Sequence, residues 1–383
     1  MDFTFTEEQL AVRQAAEGVF GGLVSPDRVA EIEATDVRVD RELWAALAAA
    51  DLLGLAVPIA LGGAGLGVTE LCLLLEAQGA VVAPVPLWST LVLGALTIGR
   101  SGSPEQRARW LPGVVAGHVL LSAALAGTAE SVSGRPPVRA EPAGEGWFLD
   151  GTELAVPQAH VAARVIVPAR TPDDAVVLAL VDPAAEGVRL ERAVTTNREI
   201  HPHLHLDSVR VGPEDVLAGP DGGAAALELV LQSAWTGLCA LQVGLTESAL
   251  VQTAAYLNQR HQFGRPLSAF QGAMLRAADA AIDIEAMRVT LWQAAWRLDA
   301  GRDAGPAVAV AKWQAAERGQ RVVHATQHLH GGVGADISYP IHRYFLWGKQ
   351  IELELGGPSR QLARLGRGIA AAAGRPAAAG VEP

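Results

Sequence analysis

The chain has 383 residues, half of them apolar and 19% charged, with a formal net charge of −11. That length exceeds one ordinary core and predicts two or three domains of a globular protein. The surplus of negative charge excludes nucleic acid as a partner, while a few local arginines still suit a small anion.

The start, MDFTFTEEQLAVRQ, carries acid where an export signal needs base, so no export is expected. Thr6 opens T-E-E-Q, a helix N-terminus with acidic residues in its first turn. Asp40 opens a second helical run, DRELWAALAAADLLGL. The stretch LLGLAVPIALGGAGLGV is interrupted by Pro58 and several glycines, which is a poor pattern for a membrane span. A cytoplasmic protein with no membrane contact is expected. Within that stretch, Gly62 to Gly67 reads GGAGLG. It lacks the preceding strand and the later acidic ribose ligand of a dinucleotide-binding loop, and reads as a connection between helices. TELCLLLEAQGAVV then resumes a buried helix, and Ser103-Pro104-Glu105 looks like a further cap and first turn. Cys72 and Cys239 lie far apart in apolar runs and read as buried free thiols of a reducing compartment.

From about His118 to Gly219, short Val-rich runs such as ARVIVPAR and AVVLALV alternate with Gly, Pro and Asp, which predicts a β domain. HPHLH, with His201, His203 and His205, would place three imidazoles on one strand face. With no carboxylate or cysteine adjacent in the sequence, it reads as a solvent-facing strand edge and no metal site is expected. Long helical runs return after Asp221. Met274, Ala277, Ala281, Ile284, Met287, Leu291, Ala294 and Leu298 recur at helix spacing and predict one buried stripe, with Arg276, Asp279, Asp283 and Arg297 on the facing side. The expected domains are therefore 1–117 (helical), 118–219 (β) and 220–372 (helical), with 373–383 a low-complexity disordered tail.

Two stretches carry binding chemistry. In RHQFGRPLSAFQ, Arg260 offers a fork of donors suited to pyrophosphate and Phe263 a face for stacking. Gly264 admits close backbone, and Gln271 begins the next helix, whose N-terminus favours anions. The same residues also suit a plain turn in which an arginine caps a helix end. In HLHGGVGADISYPIHRYF, Gly331, Gly332 and Gly334 make a tight turn that suits a phosphate or ribose, or simply joins two helices.

Together these pieces resemble the acyl-CoA dehydrogenase family over nearly the whole chain. AYLNQRHQFGRPLSAFQ is similar to its Y-x3-R-x2-FG-x6-Q motif, and LHGGVGADISYPIHRY to its GGxG-x4-YP-x2-R motif. HRYFLWGKQIELELGG looks like the β-type subunits of actinobacterial heterotetrameric members acting on steroid side chains. The resemblance implies a helical N-terminal domain, a middle β-barrel and a C-terminal four-helix bundle, in a homo- or hetero-oligomer with another subunit of the same type.

It also implies FAD, bound by Arg260, Phe263, Gln271, Gly331 and Gly332, with His328 where the family often has glutamine. The implied reaction is α,β-dehydrogenation of an acyl-CoA or carrier-bound acyl thioester, with an electron-transfer flavoprotein as acceptor. Counting nine residues from Arg343 gives Glu352 as the base. A second branch of the family carries its base near Ala234, where no carboxylate stands, and Glu247 reads as a structural or exposed helix residue. SAALAGTAESVSG replaces the flavin-contacting strand, and Ala155 and Pro157 stand where tryptophan and threonine are usual. Those departures imply an alternative, a silent scaffold that completes a partner's FAD site. A third reading keeps the fold for a flavin oxidase or monooxygenase.

Overall fold

The structure, a computed structural model, describes residues 4–131 and 134–374. The tail expected to be disordered lies outside the described residues from 375 onward. The first region is helical: α1 (Glu7–Leu23), α2 (Pro26–Glu33), α3 (Arg41–Ala49), α4 (Val68–Val81), a π-helix (Trp88–Ala95), α5 (Leu96–Ser101) and α6 (Pro104–Val115). Thr6 and Gln9 close a capping box on α1, the hydroxyl accepting from the Gln9 N–H at 3.2 Å. Ser103 and Gln106 do the same for α6, and the Gln106 amide goes on to donate to the carbonyls of Glu214 and Val216.

The middle region contains β1 (Leu121–Ala123), α7 (Ala126–Glu130), β2 (Arg139–Ala143), β3 (Gly146–Glu153), β4 (Arg164–Arg170), β5 (Val176–Val181), β6 (Val188–Glu191), β7 (His203–Val211) and β8 (Val216–Ala218). They form one sheet in the order β6-β7-β3-β2-β4-β5-β8, with β1 parallel to β4. The continuous apolar runs of β4 and β5 reflect burial on both faces. Val165, Val167, Val177 and Ala179 enter the sheet's own core, whereas Ile166, Leu178 and Leu180 enter the core shared with the helices.

HPHLH is not a solvent-facing edge. β7 pairs with both β3 and β6, and His201 precedes the strand and is fully buried. The alternation is legible in the sequence; the strands to either side are long-range pairings that no local pattern encodes.

The last region holds α8 (Pro220–Gln259), a two-stranded hairpin of β9 (His261–Gln262) and β10 (Arg265–Pro266), α9 (Gln271–Asp299), α10 (Gly305–His330), α11 (Ile341–Leu353) and α12 (Pro358–Ala372). α8 is long and apolar enough to cross a membrane, but 72% of its most apolar window is buried inside the fold, as in a core helix. The α9 stripe is corrected in its first half and on its polar side. Ile284, Met287, Leu291, Ala294 and Leu298 are buried, but Met274 and Ala281 are exposed. Asp283, expected to face solvent, is buried between Arg318 and Arg321 of α10, with Asp283 Oδ2 3.0 Å from Arg321 Nε.

α4 and α8 meet backbone to backbone. A Cβ at Gly79 would lie 2.2 Å from the Leu241 carbonyl oxygen, and one at Gly244 would lie 1.8 Å from that of Glu76. Two mid-helix glycines, each unfavourable locally, thus let two apolar helices approach closely. Asp299, at the end of α9, caps α4 from outside, accepting from the Val68 and Thr69 N–H groups at 2.7 and 2.9 Å. Gly244→Ala is expected to cost roughly 1–3 kcal/mol or more, read as a lower urea midpoint, because neither backbone can yield.

At the end of β3, Glu153 is fully buried. One oxygen accepts the Gly127 N–H at 3.0 Å and the other has no partner. Burial pushes its pKa from 4.5 to about 8, against the Gly127 hydrogen bond and with help from Glu130. In that window the folded chain keeps a proton that the unfolded chain has lost, so stability falls as pH rises from 4.5 toward 8. Glu153→Gln is expected to flatten this dependence and to melt several degrees above the parent at alkaline pH, in scans across the range.

Candidate functional site

A slot lies where the C-terminal end of α11, α8, the π-helix and the loop before β7 converge. Its volume is about 30 Å³, and Trp88, Leu238, Ile351, Gln78, His201 and Glu354 are among its walls. Glu199 Oε2 stands 3.3 Å from His201 Nε2 and accepts from Asn197 at 2.8 Å, while its other oxygen accepts from Gln158 at 3.0 Å. Burial alone would lower the His201 pKa; the Glu199 and Glu354 carboxylates outweigh it and hold the imidazole above its usual value. The short His201–Glu199 approach is poorly aligned as a hydrogen bond, so neither ring nitrogen is satisfied; the Gln78 Oε1 in the same wall is also without a partner.

Glu352, the expected base, sits one residue before the end of α11 and is bonded to Lys349 one turn earlier. It does not line the slot. Glu354, two residues on, does, and its carboxylate accepts from Gln350 at 2.5 Å. The backbone between them is held by Lys312 of α10, fully buried, whose ammonium donates to the carbonyls of Ile351 at 2.6 Å and Glu352 at 3.3 Å. Burial pulls the Lys312 pKa down to about 8, opposed by Cys239, Glu354 and Glu352. A cation on the last carbonyls of α11 is the arrangement the helix dipole favours. Beyond it, Leu355 is left-handed (φ 54°), and its carbonyl is taken by the Trp235 indole at 2.9 Å.

In the segment SAALAGTAESVSG, Ser122 donates at 2.5 Å to the carbonyl of Pro157. Ala155 and Gln158 both have left-handed backbone, and the Ala155 N–H donates to His203 Nδ1 at 3.1 Å. Pro157 thus spends its one polar group inside the fold. Thr128 in α7 is buried with an unpartnered hydroxyl. Ala234 is buried in α8, and its carbonyl accepts the Trp88 indole N–H at 3.0 Å. Glu247 is half exposed and pairs with Arg288 at 2.9 Å.

The second constellation is on the surface. Arg260 caps α8, and the β9–β10 hairpin after it carries Phe263 at its tip, 90% exposed with φ 54°. Arg260 has no carboxylate partner among the described residues, and Gln271 is exposed at the start of α9. Phe263 meets Phe270 edge to face at 6.2 Å, and Arg265 lies 4.0 Å over the Phe270 ring. In the second motif, His328, Gly331 and Gly332 are exposed. Gly331 has φ 62°, which makes glycine necessary there, and the neighbouring Gln327 turns inward to the Gly334 carbonyl.

Residues not singled out in the sequence join the two motifs. Tyr256 stacks on His330 at 4.6 Å, and Tyr339 approaches His330 at 5.4 Å. Tyr256 stands one helical turn before Arg260, and His330 immediately precedes Gly331. Both tyrosines belong to the quoted motifs, so the signal is present in the sequence. Arg343 is also internal: it and Arg198 share the Glu33 carboxylate, both at 3.1 Å, tying α2, α11 and the loop that carries Glu199.

The chain matches the acyl-CoA dehydrogenase N-terminal domain over residues 6–118 and the C-terminal domain over residues 221–370. It is 37% identical to acyl-CoA dehydrogenase FadE27 of Mycobacterium tuberculosis, over 97% of this chain and 99% of that one. Among solved structures, a variant of the Tcur3481-Tcur3483 steroid ACAD is 47% identical, with a TM-score of 0.90 over 96% of this chain and 99% of that one. The ChsE4-ChsE5 complex from Mycobacterium tuberculosis contains a chain 37% identical, also with a TM-score of 0.90, over 97% of this chain and 99% of that one. Two domain matches and near-complete overlap with these relatives lead to one conclusion: the chain belongs to the acyl-CoA dehydrogenase family of FAD-dependent oxidoreductases.

Proposed function

We propose that this chain is one subunit of a hetero-oligomeric acyl-CoA dehydrogenase acting on the acyl-CoA of a steroid side chain. Its own contribution is a clamp of Arg260, Phe263 and Gln271 on an FAD held mainly by the neighbouring subunit. The single observation that carries this reading is Phe263, a ring 90% exposed at the tip of a short hairpin, with an arginine free of carboxylate partners among the described residues at the hairpin's base. An aromatic face beside a donor fork suits the adenine and pyrophosphate of a dinucleotide. Gly331, Gly332 and exposed His328 extend the same polar surface from a segment that Tyr256 and His330 hold next to the clamp. The named complexes among the relatives, one of them a steroid ACAD, support both the hetero-oligomer and the substrate class. A cytoplasmic location is supported by two buried free thiols.

Bound FAD supplies the hydride acceptor for the β-hydrogen of the thioester. The α-proton must go to a carboxylate held away from water. Within this chain Glu354 has the better position, since it faces the slot while Glu352 is bonded to Lys349. A second reading is favoured by one dimension: about 30 Å³ is far below the roughly 300–1,000 Å³ of ordinary ligand pockets. On that reading the proton is taken in the neighbouring subunit.

The clamp is tested by flavin content. The chain purified alone is expected to hold little FAD, and the assembly with its flavin-bearing partner to hold a full complement. Arg260→Ala and Phe263→Ala together are expected to lower FAD affinity in the assembly at least about tenfold, near 1.4 kcal/mol, with the melting temperature of the isolated chain unchanged. Full flavin retention by that double variant would sink the proposal. The two readings of the base separate on Glu354→Gln and Glu352→Gln in the assembly. Loss of turnover by a factor of about 10² or more for one of them puts the base in this chain. Unchanged turnover for both assigns proton abstraction to the partner.

A further inference from the structure

A groove of about 540 Å³ lies between α1, α4, α8 and α9 and shares no residue with the slot or the clamp. Its volume, unlike that of the slot, is within the roughly 300–1,000 Å³ of ordinary ligand pockets. Phe20, Leu73, Ala77 and Val81 make an apolar floor. Phe5 forms an outer wall, held edge to face against Trp292 at 5.0 Å, with the Arg13 guanidinium 4.7 Å from its ring centre. Gly21 of α1 opens the rim, since a Cβ there would meet nothing within 4 Å. A glycine inside a helix costs about 1 kcal/mol relative to alanine, and no close packing requires this one. Its missing side chain leaves the floor uncovered.

The wall opposite Phe5 is acidic. Glu76 of α4 is only 12% exposed, and one of its oxygens accepts from Arg288 of α9. The other oxygen is buried and has no partner among the described residues. Burial pushes the Glu76 pKa up, against the pull of Arg288 and Arg13. Arg288 cannot serve Glu76 alone, because it also pairs with Glu247 at 2.9 Å and Glu285 at 3.4 Å. Glu17 adds a further carboxylate from the α1 side. Four carboxylates thus surround two guanidiniums at this corner, and the surplus charge is negative. A buried carboxylate oxygen with no donor is costly, and a cationic donor relieves that cost best. The terminal torsion of a glutamate is broad, so a small turn of the carboxyl presents the free oxygen to the groove.

We propose that this groove binds an organic ammonium, a primary amine carried on a compact apolar body. The ammonium meets Glu76, and the body covers Phe20, Leu73 and Ala77. No three metal-ligating side chains gather among the described residues, and the floor is apolar, so a bare metal ion is the wrong cation. A free amine and a lysine of a neighbouring chain offer the same chemistry, and the experiment separates them.

The test is titration calorimetry on the full-length chain alone, with adamantylamine as the probe and adamantanol as its uncharged counterpart. The amine is expected to bind at least about tenfold more tightly than the alcohol. Glu76→Gln keeps an acceptor for Arg288 and is expected to remove that preference. Gly21→Leu places a side chain in open space over the floor and is expected to block both probes, with the melting temperature unchanged or raised. No binding of the amine to the parent overturns the site, as does equal binding of amine and alcohol. An undiminished preference in Glu76→Gln overturns it too. Should Glu76→Gln fail to fold, Gly21→Leu decides, and amine binding undisturbed by the leucine places the amine elsewhere. Amine binding retained in the assembly with the flavin-bearing partner identifies a free amine. Binding lost there, with weaker assembly by Glu76→Gln, identifies a lysine of the partner. Binding lost without that weakening means that the groove is merely covered, and overturns the proposal.

Discussion

The close approach of α4 and α8 is the constraint on which the rest of this fold depends. Gly79 and Gly244 let carbonyl oxygens of each helix lie where any side chain of the other would collide. With those two axes fixed, the residues after α4 have little freedom. The chain passes Pro84 and Pro86, with the Gln78 amide donating to the carbonyls of Ala83 and Val85, and enters the π-helix with Trp88 directed at α8. Packing this dense is unforgiving of added volume, which is why the glycines are at the contact.

A second device fixes the other wall of the slot. The α11 helix ends against a buried ammonium, and Lys312 sets the heights of Glu352 and Glu354 through backbone carbonyls, leaving their side chains free to differ. One turns back along its own helix to Lys349, the other toward the slot. Glu33 then locks the far end of α11 and the Glu199 loop to α2 through Arg343 and Arg198. The site is therefore assembled from three regions by buried charge, with each carboxylate bound to a partner, as buried ions require.

Local features are the legible ones. The caps at Thr6, Asp40 and Ser103 can be read because a side chain and an N–H three residues on are neighbours in sequence. The grouping of Arg260, Phe263 and Gln271 is readable for the same reason, the three standing within twelve consecutive positions. Local pattern misleads where distant segments decide the outcome. Asp283 looks like a surface acid until α10 brings Arg318 and Arg321 to it. His201 looks like one of an alternating strand triplet until the fold encloses it with Glu199 and Glu354. Counting from Arg343 reaches Glu352, which bonds to Lys349 inside α11, whereas the chain leaves the helix at Glu354, and it is that residue which lines the slot.

The face of α9 has a consequence beyond binding. Met274, Leu275, Ile282 and Val289 are all exposed along it, near the hairpin that carries Phe263. A surface with that much uncovered apolar area is poorly suited to long residence in water as a single chain. In a cell, such a polypeptide is made safely only when its cover is made alongside it. Prompt assembly into the oligomer, and rapid removal of any unassembled excess, would then be as much a part of this protein's biology as the chemistry it supports.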